Sequence, residues 1–96
     1  MLKILMVCGA GLGSSFACEM TVDSVLKDLN VTAKLDHTDI TSVAGTNADI
    51  IIAANNFKHQ VEKYDTNTTK IFLNRLVDKN EIREKLVPVL KEKGEL

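Results

Sequence analysis

Three short apolar runs, Ile4-Leu5-Met6-Val7, Ile50-Ile51-Ile52-Ala53 and Ile71-Phe72-Leu73, are spread along the chain with helix-patterned segments between them. Each is short and apolar at successive positions, as strands are; the first two have the pattern of a buried strand. The expected strands run from Lys3 to Val7, from Asp49 to Ala53 and from Lys70 to Leu73. A fourth run, Val31 to His37, alternates apolar and polar residues with period two and predicts a strand with one exposed face, at the edge of the sheet.

The intervening segments supply the covering layers. Phe16, Met20, Val25, Leu26 and Leu29 recur near helical spacing, with Lys27 and Asp28 turned away, and Ser14 or Ser15 is placed to cap a helix of about four turns. Asn30, tolerant of the left-handed conformation, is its expected stop. Thr38 to Asn47 reads as a loop with one helical turn near Ser42 to Ala44. Asn55-Asn56 is expected to break the third strand and cap a short helix over Phe57 to Tyr64, with Phe57, Val61 and Tyr64 on one face; Asp65-Thr66-Asn67 is a turn. Asp78 is a good N-cap for a last helix whose buried stripe is Ile82, Leu86, Val89 and Leu90, and Pro88 should weaken or kink it at the preceding turn. Strands alternating with helices predict an α/β fold. We expect one three-layer domain over 1–96, with four parallel strands in the order 2-1-3-4, right-handed crossovers and helices on both faces.

Composition narrows the function. A chain of 96 residues with 26% charged residues and a net charge of -1 is an ordinary globular domain, able to bury a core without disulfides or a structural metal. The basic residues between Lys79 and Lys93 are diluted by Glu81, Glu84 and Glu92, so that segment is a solvated helix face and nucleic acid is not an expected partner. No apolar run approaches the roughly 18 residues of a membrane span. Lys3 followed by apolar residues up to Cys8 superficially resembles a lipoprotein signal, but the run is too short and Val7 is not a small residue. Cys8 and Cys18 fit no metal spacing with His37 or His59 and read as two thiols of a reducing compartment, so a cytoplasmic location is expected.

In a parallel sheet of this order, ligands bind beyond the carboxyl ends of the strands where the chain reverses direction, next to strand 1. There the sequence reads Cys8-Gly9-Ala10-Gly11-Leu12-Gly13-Ser14-Ser15. A cysteine just before a helix N-terminus feels the partial positive charge of unpaired amides, which favours the thiolate. The amides from Ala10 to Ser15 and the two serine hydroxyls can hold an anion, so the residues from Gly9 to Ser15 form an expected phosphate cradle and Cys8 an expected nucleophile. The bland alternative for Cys8 is a small buried hydrophobe at a strand end, and the glycines and hydroxyls that follow argue against it. Cys18, in mid-helix, is expected to be packed and inert. At the same edge, His37 can orient a partner or donate to phosphate, its alternative being a local hydrogen-bonding role beside Asp36 and Asp39, and Arg75 can steer a phosphate or a partner, a plain surface role being its alternative. His59 is expected only to be exposed.

Other phosphate loops fit less well. A P-loop NTPase needs a Lys after the last glycine, where this chain has Ser14, and the dinucleotide pattern G-x-G-x-x-G is missed by one residue, although Asp36 could pass for the ribose acid. A low-molecular-weight cysteine phosphatase, or an arsenate reductase of that kind, carries C-x5-R-S/T; counting from Cys8, the Arg position holds Ser14, and Pro88 lies far from any Asp-Pro acid loop. The loop is phosphatase-like but lacks the groups that assist hydrolysis, which suits a phosphocysteine awaiting an acceptor. No metal or other cofactor is required for such transfer.

With Cys-Gly-Ala-Gly-Leu-Gly-Ser-Ser at 8–15 and Asp36-His37-Thr38-Asp39 downstream, the chain resembles the IIB domain of a bacterial sugar phosphotransferase system over essentially its full length, and most closely the ascorbate-type branch, related to the galactitol and lactose/cellobiose types. The resemblance implies a shuttle. A phosphohistidine on a IIA partner would give its phosphoryl group to Cys8, which would pass it to the sugar as the membrane IIC component imports it.

Overall fold

The computed structural model describes residues 2–8, 13–39, 47–64 and 68–96, of which 8, 13–15 and 64 are described through their backbone alone. The elements are β1 (Leu2–Cys8), α1 (Gly13–Asp28), β2 (Ala33–Asp39), β3 (Ile50–Ala54), a 3-10 turn (Asn55–Phe57), α2 (Lys58–Tyr64), β4 (Thr69–Leu73) and α3 (Lys79–Glu92). The sheet has the order β2-β1-β3-β4, all strands parallel, as the pattern predicted. Among the described residues no helix is long and apolar enough to cross a membrane.

β1 and β3 are central because their side chains are apolar on both faces. Ile4, Met6, Ile50 and Ile52 enter a core with Cys18, Val22, Val25 and Leu26 of α1 and Ile82, Leu86 and Leu90 of α3. The alternate residues Leu5, Val7, Ile51 and Ala53 pack on the other face with Val61 of α2, supported by Phe57 and Phe72. Each fully buried Leu, Ile or Val contributes about 1.5–3 kcal/mol of transfer free energy. β2 is the expected edge strand, its side chains alternating between half-buried and exposed from Ala33 to His37.

α1 keeps Val25, Leu26 and Leu29 of the predicted stripe on the core and departs from it at its N-terminal half. Phe16 and Met20 are 53% and 61% exposed, whereas Cys18 is 1% exposed and lies in the core with Val22, Val25 and Leu26. Two residues further along a helix is a rotation of about 200°, so a stripe through 18, 22, 25 and 29 turns 16 and 20 outwards. Small Cys18, not the larger Phe16, marks the buried face. Neither Ser14 nor Ser15 precedes the helix; both lie in its first turn, because Gly13 enters the helix and the first amides of a helix need no intrahelical partner.

The end of α1 follows the prediction. Asn30 has φ 57°, and Val31 N–H donates to Leu26 O at 2.9 Å and Asn30 N–H to Lys27 O at 3.2 Å, a Schellman turn. That turn consumes Asn30 and Val31, so β2 begins at Ala33 and continues through Thr38 and Asp39, two residues whose composition predicts a loop. The suggested turn at Ser42 to Ala44 and the turn at Asp65 to Asn67 lie outside the described residues. Asn55 and Asn56 do break β3, but both enter the 3-10 turn and no side chain caps it; the Asn55 side-chain amide instead donates to Asn74 Oδ1 at 3.1 Å, tying the ends of β3 and β4.

Two polar clamps seat α3. Asp78 caps it, accepting from the amides of Asn80 and Glu81 at 3.0 and 3.1 Å. Glu81 stands where a capping-box glutamate would return to the cap amide, yet it reaches further back, accepting from the amides of Asn74 at 2.7 Å and Arg75 at 3.0 Å. Lys85 closes this clamp by donating to Glu81 at 2.8 Å and to the Phe72 carbonyl at 2.6 Å. Lys85, and then the two amides, outweigh burial and hold the Glu81 carboxyl down at about 2, against an ordinary 4.5. At the other clamp, Asp28 accepts from Lys79 at 2.7 Å and Arg83 at 2.9 Å, joining the end of α1 to α3; Lys79 above all lowers its pKa. α3 continues unbroken through exposed Pro88, where water can satisfy the Glu84 carbonyl that loses its amide donor.

Leu86→Ala, at a position 0% exposed, should cost about 2–5 kcal/mol in urea denaturation through lost burial and the cavity left behind. Glu81 gives a pH signature. Its folded pKa lies below the unfolded one, so its stabilisation is complete above 4.5 and vanishes as the pH falls to about 2. The stability gap between wild type and Glu81→Gln should therefore narrow over that interval; a gap independent of pH would contradict the clamp.

Candidate functional site

The carboxyl ends of the strands form one edge. Cys8 is the last residue of β1 and stands in register with Asp39, the last residue of β2, while Val7 stands in register with Ala53 of β3. From β1 the chain passes through α1 to β2 on one side, and β3 then lies on the other, so β1 is the point where the winding reverses. The N-terminal turn of α1, beginning at Gly13, opens five residues after Cys8 and contains no acidic residue. Its free amides therefore keep their partial positive charge uncompensated from within that turn. A strand end meeting a helix start in this way suits an anion.

The expected site residues divide into three groups. Cys8 and Gly13, Ser14 and Ser15 are placed by their backbones at this edge, and Gly9, Ala10, Gly11 and Leu12 lie outside the described residues. His37 and Asp39 share β2 beside Cys8, Asp39 exposed and His37 partly covered. Arg75 lies beyond the end of β4, on the far side of β3, and its backbone amide is held by Glu81. The edge thus brings His37 and Asp39 beside Cys8 and sets Arg75 two strands away.

His37 has surroundings that its local sequence does not reveal. Its Nδ1 lies 3.5 Å from Glu19 Oε2, and its ring meets Phe16 edge-on, with centroids 6.3 Å apart and planes at 85°. Its backbone amide donates to Asp36 Oδ1 at 2.8 Å. Glu19 was missed as a site residue; the available signal was its spacing three residues after Phe16, which puts both on one face of α1. Cys18 is buried and His59 exposed, as expected. His59 borders a shallow recess with Asn55, Asn56, Lys58 and Glu62 beyond the end of β3.

Known proteins share this organisation. The chain is 31% identical over 93 residues to the ascorbate-specific PTS system EIIB component of Mycoplasma pneumoniae, a match covering 93% of this chain and 95% of that protein. Its fold matches the lactose-specific IIB component domain of the phosphoenolpyruvate:carbohydrate phosphotransferase system from Streptococcus pneumoniae with a TM-score of 0.56 and 18% identity, over 94% of this chain and 95% of the other. Residues 3–87 match the family described as PTS system, Lactose/Cellobiose specific IIB subunit. The chain, with its parallel sheet and its cysteine at the end of the first strand, belongs to the IIB family of the phosphotransferase system.

Proposed function

We propose that Cys8 carries a phosphoryl group from the phosphohistidine of a IIA protein to a sugar, L-ascorbate, imported by a membrane IIC component. The observation that supports this most directly is the position of Cys8 at the end of β1, just ahead of a helix start whose first turn has no acidic residue. In the first step the Cys8 thiolate attacks phosphorus, an S–P bond forms and the P–N bond to the donor imidazole breaks. In the second a sugar hydroxyl attacks, the S–P bond breaks and the thiolate returns, while the hydroxyl proton leaves to solvent or a base.

The backbone amides from Gly9 to Ser15 and the hydroxyls of Ser14 and Ser15 would stabilise the bound dianion, and His37, Asp39 and Arg75 would form the rim that partners meet. Ser14 at the position where a cysteine phosphatase has Arg favours holding the group over hydrolysing it. The choice of ascorbate rests on the name of the 31% identical relative and on the loop sequence. Work on this route would take place in the cytoplasm, at the inner face of the membrane when IIC is engaged.

Mass spectrometry after incubation with phosphorylated IIA should show one added phosphoryl group on the wild type and none on Cys8→Ser. Equal labelling of the two proteins would remove Cys8 from the route. The isolated protein should show almost no sustained hydrolysis of an aryl phosphate; steady turnover would instead favour a phosphatase.

A further inference from the structure

The Nδ1 atom of His37 is sealed from solvent and has no hydrogen-bond partner among the described residues, yet a carboxylate oxygen of Glu19 stands 3.5 Å away. A bare lone pair on Nδ1 would face that oxygen at the cost of repulsion, whereas a proton there would be attracted to it, and a closure of a few tenths of an ångström would complete a direct hydrogen bond. The Glu19 carboxylate is itself only 19% exposed, which strengthens its preference for the protonated nitrogen. Phe16, one turn earlier on α1, packs against the same ring, so α1 holds the imidazole by both charge and shape. In a neutral ring with its proton on Nδ1, the lone pair lies on Nε2, and the side chain remains 27% exposed.

His37 stands in register with Met6 and Asp39 with Cys8, so His37 and Cys8 are diagonal neighbours across the β1–β2 ladder. We propose that Glu19 is a positioning residue that keeps His37 in the Nδ1–H form, so that Nε2 takes the proton of the Cys8 thiol. In that step the S–H bond breaks and an Nε2–H bond forms, leaving a thiolate beside an imidazolium. Glu19 stabilises the cation, and the free amides of α1 stabilise the anion. The other charged groups near the ring are Asp36, whose carboxylate takes the His37 backbone amide, and exposed Asp39. The inference deepens the reading of Cys8 as a phosphoryl acceptor and rests on it for its purpose.

The test uses the full chain and iodoacetamide at pH 7, with the modified cysteine identified by peptide mass; Cys18, 1% exposed, should stay unmodified. The alkylation rate of Cys8 should fall about tenfold in Glu19→Ala and in His37→Gln, as thiolate is lost. Glu19→Gln, whose amide oxygen can still accept from Nδ1–H but bears no charge, should fall between Glu19→Ala and wild type. Nitrogen-15 spectra of the wild-type imidazole should show Nδ1 protonated in the neutral ring and in the imidazolium alike, a readout that needs no variant to fold. Unchanged alkylation in Glu19→Ala and His37→Gln, or a neutral wild-type ring with its single proton on Nε2 and Nδ1 bare, would overturn the inference. Phosphoryl transfer from IIA, measured in parallel, separates the two readings: a slowed thiol with no transfer in wild type leaves the proton relay standing and removes the carrier role, and the converse removes the relay alone.

Discussion

The hydrogen-bonded ladder on both sides of β1 is the constraint on which the other parts depend. A strand paired to β2 on one side and β3 on the other has no free edge, and its Ile4, Leu5, Met6 and Val7 side chains must be covered on both faces. α1 and α3 cover one face and α2 the other. Parallel pairing requires every connection to cross back over the sheet, so the starts of the helices gather at the end of the sheet where the strands finish. Cys8 lies at that end because it is the last residue of this strand. Burial and site position thus share one cause.

Polar groups then refine what burial leaves loose. Burial seats α3 on the sheet through Ile82, Leu86 and Leu90 and anchors the turn from Asn74 to Val77 through Leu76, but it offers no partner to the backbone amides of Asn74 and Arg75. Glu81 supplies the missing partners, taking two amides of that turn while Lys85 binds both Glu81 and the end of β4. The Asp28 clamp acts on the surface, where solvent screens it, although it turns an acid poorly placed at a helix end into an acceptor for two cations.

At the carboxyl edge the same helix that packs the core also shapes the surroundings of His37. One side of α1 buries Cys18, Val22 and Val25, while another carries Phe16 and Glu19 to His37. Replacing a core residue of α1 should therefore disturb the imidazole as well as stability, since both surfaces move as one rigid body. That coupling gives Phe16 a reason to remain half exposed: it shelters a polar ring instead of filling the core.

Much of this protein was legible in the residues. Period-two and uninterrupted apolar patterns located all four strands, Asn30 and Asp78 marked helix ends through local backbone chemistry, and Cys8 marked the carboxyl end of the first strand. These features are local, or repeat with a short period, so the chain carries them without reference to its neighbours. Tertiary structure alone turned Phe16 and Met20 outwards, because Phe16 and Cys18 differ by about half a turn and hydrophobicity favours the larger side chain for the core. It also decided the partners of Glu81 and Glu19. A carboxylate takes whatever donor the packing brings within about 3 Å, and that donor can belong to a distant segment or another element.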